Sequence, residues 1–291
     1  MRSSAPHTVD HASDGMSEKT ESKLSRKYHE SGVRDRAPLS VALLSVAIQE
    51  LPSPMGSGIK LAFQESLIFV LMVGGILLCA LLAASARTSR LAVALFTAIA
   101  VIAIMPDWTS NANHTWLALW TIPVAVLFRE WWNSDLYSFY LRATLGIVMI
   151  AAFSQKVMAG TYLDGFYIEF LNATGSTTER MFSILCSGDP TGPCVFNQMI
   201  GIFILAWQLI VGVLLLLGLN SLIFLAIEIA FLLGAGVFAD EMNFQVLNIA
   251  LLCIVFRFGM PLWLGALSIA LLVIDLFTIS TLVDLVVSHV G

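Results

Sequence analysis

Charge is scarce in this chain. Of its 291 residues, 12% are Asp, Glu, Lys or Arg and 58% are hydrophobic, and the mean hydropathy is +0.85. That balance lies outside the range of soluble domains and inside that of polytopic membrane proteins. Histidine is scarcer still. His7, His11 and His29 fall in a polar tail and His289 lies near residue 291, so only His114 belongs to the apolar body. A haem b between helices takes two histidines and a zinc site takes several nitrogen or sulfur ligands, so neither a haem nor a protein-bound metal is expected. No CxxC joins any of Cys79, Cys186, Cys194 and Cys253, which removes thioredoxin-type chemistry and zinc knuckles. There is no arginine ladder, no P-loop and no basic stripe on a chain of net charge −5. A voltage sensor, an ATP-driven pump and a nucleic-acid partner are thereby excluded. An internal repeat, the usual sign of a secondary transporter, is also missing.

What is present sorts into three regions. Residues 1–37 are polar, with seven Lys or Arg against six Asp or Glu and no apolar periodicity, and read as a disordered tail without a signal-peptide pattern. Residues 38–56 hold the run PLSVALLSVAIQEL, closed by Pro52 and Pro54. That run is shorter than the ~20 residues a crossing needs, and fits a short amphipathic segment lying on the membrane surface or against the bundle. Residues 57–291 form a multi-span transmembrane domain. The expected fold is an all-α, polytopic membrane helix bundle of about eight spans, near 59–84, 91–105, 115–128, 140–153, 197–219, 222–239, 244–256 and 262–287. Arg87, Arg90, Arg129 and Arg257 fall in alternate loops, which the positive-inside rule makes cytoplasmic. The opposite loops carry His114, Lys156, both loop cysteines, Asp240 and Glu241. With this orientation the first span enters from outside, unless 38–51 dips through. The location is a multi-pass integral membrane protein, in the plasma membrane or, in a bacterium, the inner membrane.

Few residues can carry chemistry in such a chain. Lys156 ends the apolar helix that starts near Leu141. An ionisable group at membrane depth marks a functional site by default, whereas the plain alternative is a lysine that snorkels to the headgroups. His114 opens a span on the same face. A neutral lysine and a neutral imidazole in a half-buried cleft can exchange protons, whereas the plain alternative is a histidine that caps its loop. Glu228 and Asp275 interrupt apolar spans, as does Gln208, and Arg142 stands near the cytoplasmic end of the lysine helix. These intramembrane polar residues serve either as glue between helices or as a proton path or cavity wall. Between Cys186 and Cys194 the loop CSGDPTGPC is rich in turn residues, and a structural disulfide on the outer face is its simplest reading.

The segment MIAAFSQKVMAGTYLDGFYIEFL resembles the lysine segment of the membrane domain of the vitamin K-dependent γ-carboxylase, within the horizontally transferred transmembrane domain (HTTM) family. SNANHTWLALW is similar to that family's Asn-His segment, and LAWQLIVGVLLLLGLNSLIFLAIEIAFLLGAGVF to its later hairpin. Together these cover most of residues 52–258. In the carboxylase a lysine is the base that deprotonates vitamin K hydroquinone and a histidine assists. The resemblance therefore implies a catalytic role for Lys156 and His114 and a quinone or hydroquinone as cofactor. The family's Phe-His pair is missing near Phe231 and Phe238, and no large lumenal domain follows within 291 residues, so what is implied here is the quinone-facing half of the chemistry. A more distant similarity is to the small quinone-linked subunits of the DoxX and MauE type, through the helix from Arg142 to Lys156. That likeness implies a different role, a non-catalytic membrane anchor or assembly subunit for a redox or thiol-disulfide protein partner. In either case membrane lipid surrounds the chain.

Overall fold

The computed structural model describes residues 35–48, 66–85, 87–104, 113–128, 131–173, 186, 194–239 and 241–274, with backbone alone at 66–70, 103–104, 113–114 and 173. The tail at 1–34 and Asp275 lie outside the described residues. Everything described is helix or the turns between helices, with no strand among these residues.

Among the described residues ten helices follow one another: α1 at 35–48, α2 Ser66–Ala83, α3 Ser89–Ile99, α4 Asn113–Thr121, α5 Asp135–Ala159, α6 Phe166–Ala173, α7 Val195–Leu216, α8 Leu222–Ala239, α9 Met242–Val255 and α10 Leu262–Ile274. α3 runs on through a π turn, Ala100–Ile104, and α4 is followed by a 3-10 turn, Pro123–Leu127. Three helices among the described residues are long and apolar enough to cross a membrane: α5, α7 and α8, of 25, 22 and 18 residues. Five shorter apolar stretches accompany them: Leu71–Ala83, Ser89–Ile102, Thr115–Leu127, Met242–Val255 and Leu262–Ile274.

The lysine helix is longer than its apolar run, 140–153, implied. Its ends are set by caps rather than by hydropathy. Ser134 accepts a hydrogen bond from the Tyr137 N–H at 3.2 Å, and Asp135 supplies a negative charge to the first turn. At the other end Gly160 takes φ +77°, and its N–H reaches the carbonyls of Lys156 and Val157. A left-handed glycine stops an α-helix in this way, and here it leaves Lys156 in the last turn.

α5 packs along α7, its most extensive partner, and the two backbones meet at a pair of glycines. A β-carbon at Gly146 would stand 3.0 Å from the Gly212 carbonyl oxygen, and one at Gly212 would stand 3.0 Å from that of Gly146. Small residues at such a crossing let two membrane helices approach closely. α2 packs on α3, α8 on α9, and α6 on α7.

The centre of the molecule is α9. All of its residues but Phe244 are buried, with α8, α5 and α4 against it. α1 lies against the bundle. Leu39, Ala42, Leu43 and Val46 are fully buried, the Ser40 hydroxyl donates to the Ala80 carbonyl of α2, and the Arg36 guanidinium stacks 4.2 Å over the Trp132 ring. Facing away from this core are open apolar side chains such as Leu222 and Ile223 of α8 and Val195 and Met199 of α7. On helices of this length, such a face suits lipid.

Candidate functional site: a cavity beside Lys156

A cavity of about 840 Å³ opens between α4, α5, α6, α7, α8 and the start of α9. Along α5 it reaches from Thr144 to Lys156, twelve residues or about 18 Å of helix. It is therefore a long slot parallel to the helices. Its walls are mainly apolar and aromatic. Trp207 lies 6.2 Å from Phe203 and 5.4 Å from Phe231, centroid to centroid, and Trp116 and Trp120 come from α4.

Polar groups gather at two levels. At the Lys156 end, Nζ sits 4.7 Å over the ring of Tyr162, which stacks on Tyr167 at 4.3 Å. Glu241, between α8 and α9, lines the same end and interacts electrostatically with Lys156. Glu241 is open to the cavity, yet the protein around it pushes its carboxyl above the usual range, with the Lys156 ammonium pulling the other way. Burial likewise raises both tyrosines, whose proximity to each other and to Glu241 adds to the shift in Tyr162. Neutral phenols and a π face are what the amine meets there.

Deeper, Glu228 of α8 is 1% exposed and its Oε2 accepts the Trp207 indole N–H at 2.8 Å. Gln208 of α7 lines the cavity as well. The intramembrane acid thus bonds to an indole and not to Arg142. The Arg142 guanidinium instead donates to the Gly218 carbonyl at 3.0 Å and lies 5.8 Å from the Phe256 ring, away from the cavity. It tidies the turn between α7 and α8, which is a structural role.

Local folding explains why the lysine end is firmly shaped. The connection after Gly160 is pinned on the first half of α7. Gln198 donates to the Leu163 carbonyl at 2.8 Å, Gly165 at φ +86° passes the Gln198 backbone, and Gly201 touches the Tyr162 carbonyl. Cys194 is the N-cap residue of α7 and is joined to Cys186, with Cα atoms 5.7 Å apart. Replacing both cysteines with serine releases a short loop and is expected to lower stability by about 2.5 kcal/mol, the chain-entropy value for a loop of this size. Chemical denaturation of the detergent-solubilised protein, with and without reductant, measures it. The wild type should fall to the variant's midpoint only when reduced.

Of the residues the sequence singled out, three meet in this cavity: Lys156, Gln208 and Glu228. Arg142 does not. The backbone of His114 begins α4, whose Trp116, Leu117 and Trp120 line the cavity, but its side chain lies outside the described residues. Sequence reasoning passed over Glu241, Tyr162, Tyr167 and Trp207 as site residues. The available signal for Glu241 was its place in a loop on the same side as Lys156. For Trp207 it was adjacency to Gln208. Among the described residues no group of three or more His, Cys, Asp or Glu is gathered as metal ligands. No family model, curated protein or solved structure matches the chain.

Proposed function

We propose that this chain is a multi-pass membrane protein that binds a quinone or hydroquinone in the cavity and uses Lys156 as a base. The spans number about eight, and the lysine end opens away from the cytoplasm. The observation that carries this function is the placement of the Lys156 amine over Tyr162, in a large aromatic-walled cavity, where a snorkelling lysine would point to headgroups. The kinship proposed is with the HTTM family, on the segments around Lys156, His114 and the α7–α8 hairpin.

The residues fit such a group. A slot of about 840 Å³ with Trp, Phe and Tyr walls and few polar groups suits a flat aryl ring on an apolar tail. When bound, a hydroquinone supplies an acidic hydroxyl and a two-electron couple. The chain supplies the rest. Nζ of neutral Lys156 takes up a proton, and the ammonium so formed rests on the Tyr162 π face with the Glu241 carboxylate as counter-charge. Trp116 and Trp120 of α4 line one side of the slot, so the amine faces aromatic rings more than polar groups.

Lys156→Met keeps the length of the side chain and removes the nitrogen. Titrating 1,4-dihydroxynaphthalene into the full chain in nanodiscs under argon, with tryptophan quenching as readout, should show about tenfold weaker binding in the variant, the usual worth of a hydrogen bond to a charged group. Equal affinity in wild type and Lys156→Met would sink the proposal.

A further inference from the structure

The helices around the cavity do not all close on one another. α5 meets α7 backbone to backbone at Gly146 and Gly212, and α8 lies along α9, where a β-carbon on Gly236 would stand 3.0 Å from Met242. α4 is tied to α5 by two phenols: Tyr137 donates to the Thr121 carbonyl at 3.1 Å and Tyr140 to the Trp120 carbonyl at 2.6 Å. α7 and α8 follow each other in the chain, yet past the turn that joins them they have little backbone contact. Side chains bridge the space instead. The Trp207 indole donates to Glu228 at 2.8 Å, and the Phe231 ring stands 5.4 Å from that of Trp207 and 6.2 Å from that of Phe203.

α8 turns small residues to this side. Ala230 and Gly234, one helical turn apart on the same face, both line the cavity. At the α5–α7 crossing the facing backbone covers the small residues, but at Gly234 nothing arrives. A β-carbon there would find only the Phe238 ring edge of its own helix, at 4.0 Å. Ala230 is exposed, and Phe203 is 56% exposed although it too lines the cavity. Their neighbours Ile227 and Ile202 are exposed without lining it. The notch at Ala230 and Gly234 thus runs from the cavity to the outer, aliphatic surface of the α7–α8 pair. The other outlet, the lysine end, is rimmed by Gln155, Lys156 and Glu241. A molecule dissolved among acyl chains would have to enter water to use it, at a cost that grows with its apolar surface.

We propose, resting on the membrane placement and the ligand class given above, that this notch is a lateral portal through which the ligand passes between the bilayer and the cavity. The Trp207–Glu228 hydrogen bond and the Phe203 and Phe231 rings hold α7 and α8 at the spacing that keeps it open. The ligand is then supplied from, and returned to, the lipid phase and not the aqueous one.

Filling the notch tests it. Gly234→Leu has room for its side chain and should slow association and dissociation of 1,4-dihydroxynaphthalene together, each by about tenfold, with Kd unchanged. Stopped-flow tryptophan quenching in nanodiscs under argon reads both rates. Should Gly234→Leu fail to give monodisperse protein, Ala230→Leu takes its place with the same expectation. Gly74→Leu on α2, where a β-carbon also meets nothing within 4 Å, controls for added bulk and should leave both rates as they are. Wild-type rates in the filled variants, or a change in dissociation alone, overturn the portal and leave the ligand class standing. A wild type that does not bind the diol overturns the ligand class, and a measurement without ligand then decides the portal. In phosphatidylcholine nanodiscs brominated on the acyl chains, Trp207→Phe should lose a quenchable component, and Gly234→Leu should protect that same component. Quenching in Gly234→Leu equal to that of wild type overturns the portal.

Discussion

Alanine at position 201 should cost about 3 kcal/mol or more, although it adds a single methyl group. The new β-carbon would occupy the space of the Tyr162 backbone carbonyl, and no rotamer change can move a backbone. To make room, the connection from Gly160 to Gly165 must lift off α7. The connection is tied at Gln198 and Gly165 as well, so the strain is shared by the whole corner. The same substitution at Gly74 of α2, where a β-carbon meets nothing within 4 Å, should be neutral or stabilising by about 0.5–1 kcal/mol, because it only reduces the freedom of the unfolded chain. Thermal unfolding in one detergent compares the two. If both alanines shift the midpoint alike, the contact between α7 and the Tyr162 corner is not as described. Gly201→Ala should also weaken binding of 1,4-dihydroxynaphthalene, since lifting Tyr162 removes the face on which the Lys156 amine rests.

The second large effect belongs to α9. Leu247→Ala removes three carbons from a fully buried position with packed helices around it, and is expected to cost about 2–5 kcal/mol. Ile223→Ala, on α8 and 73% exposed, should cost less than about 0.5 kcal/mol. Both positions are aliphatic and both lie in apolar helices, so the pair separates burial in protein from contact with lipid. Similar midpoints for the two variants would show that α9 is not enclosed.

Hydropathy made the helices legible, because no soluble fold tolerates so many apolar runs. It also made Lys156, Gln208 and Glu228 legible, since an ionisable or amide side chain inside such a run has no cheap explanation. The centrality of α9 was not legible. Past Asn248 the helix is apolar on every side, and such a run looks the same whether its neighbours are lipid tails or other helices, so only the assembled neighbours decide. The placement of α1 was equally hidden. Residues 38–51 are too few to span and apolar enough either to lie on a surface or to pack, and the choice rests on distant partners such as Ala80 and Trp132. Glu241 and Tyr162 escaped notice for a related reason. Loop acids and interfacial tyrosines are common, and what distinguishes these two is that the corner after Gly160 and the α8–α9 turn bring them to one amine.

A helix enclosed by α8, α5 and α4 has a consequence for how the protein is made. α9 leaves the ribosome after α1 to α8, although α4 and α5 use it as a wall. Those earlier segments must therefore form with one flank unfinished until residues some ninety positions downstream of α5 are made. During that interval the acid of α8 and the amine of α5 stand in an incomplete enclosure. The flank is closed only when translation has passed Val255.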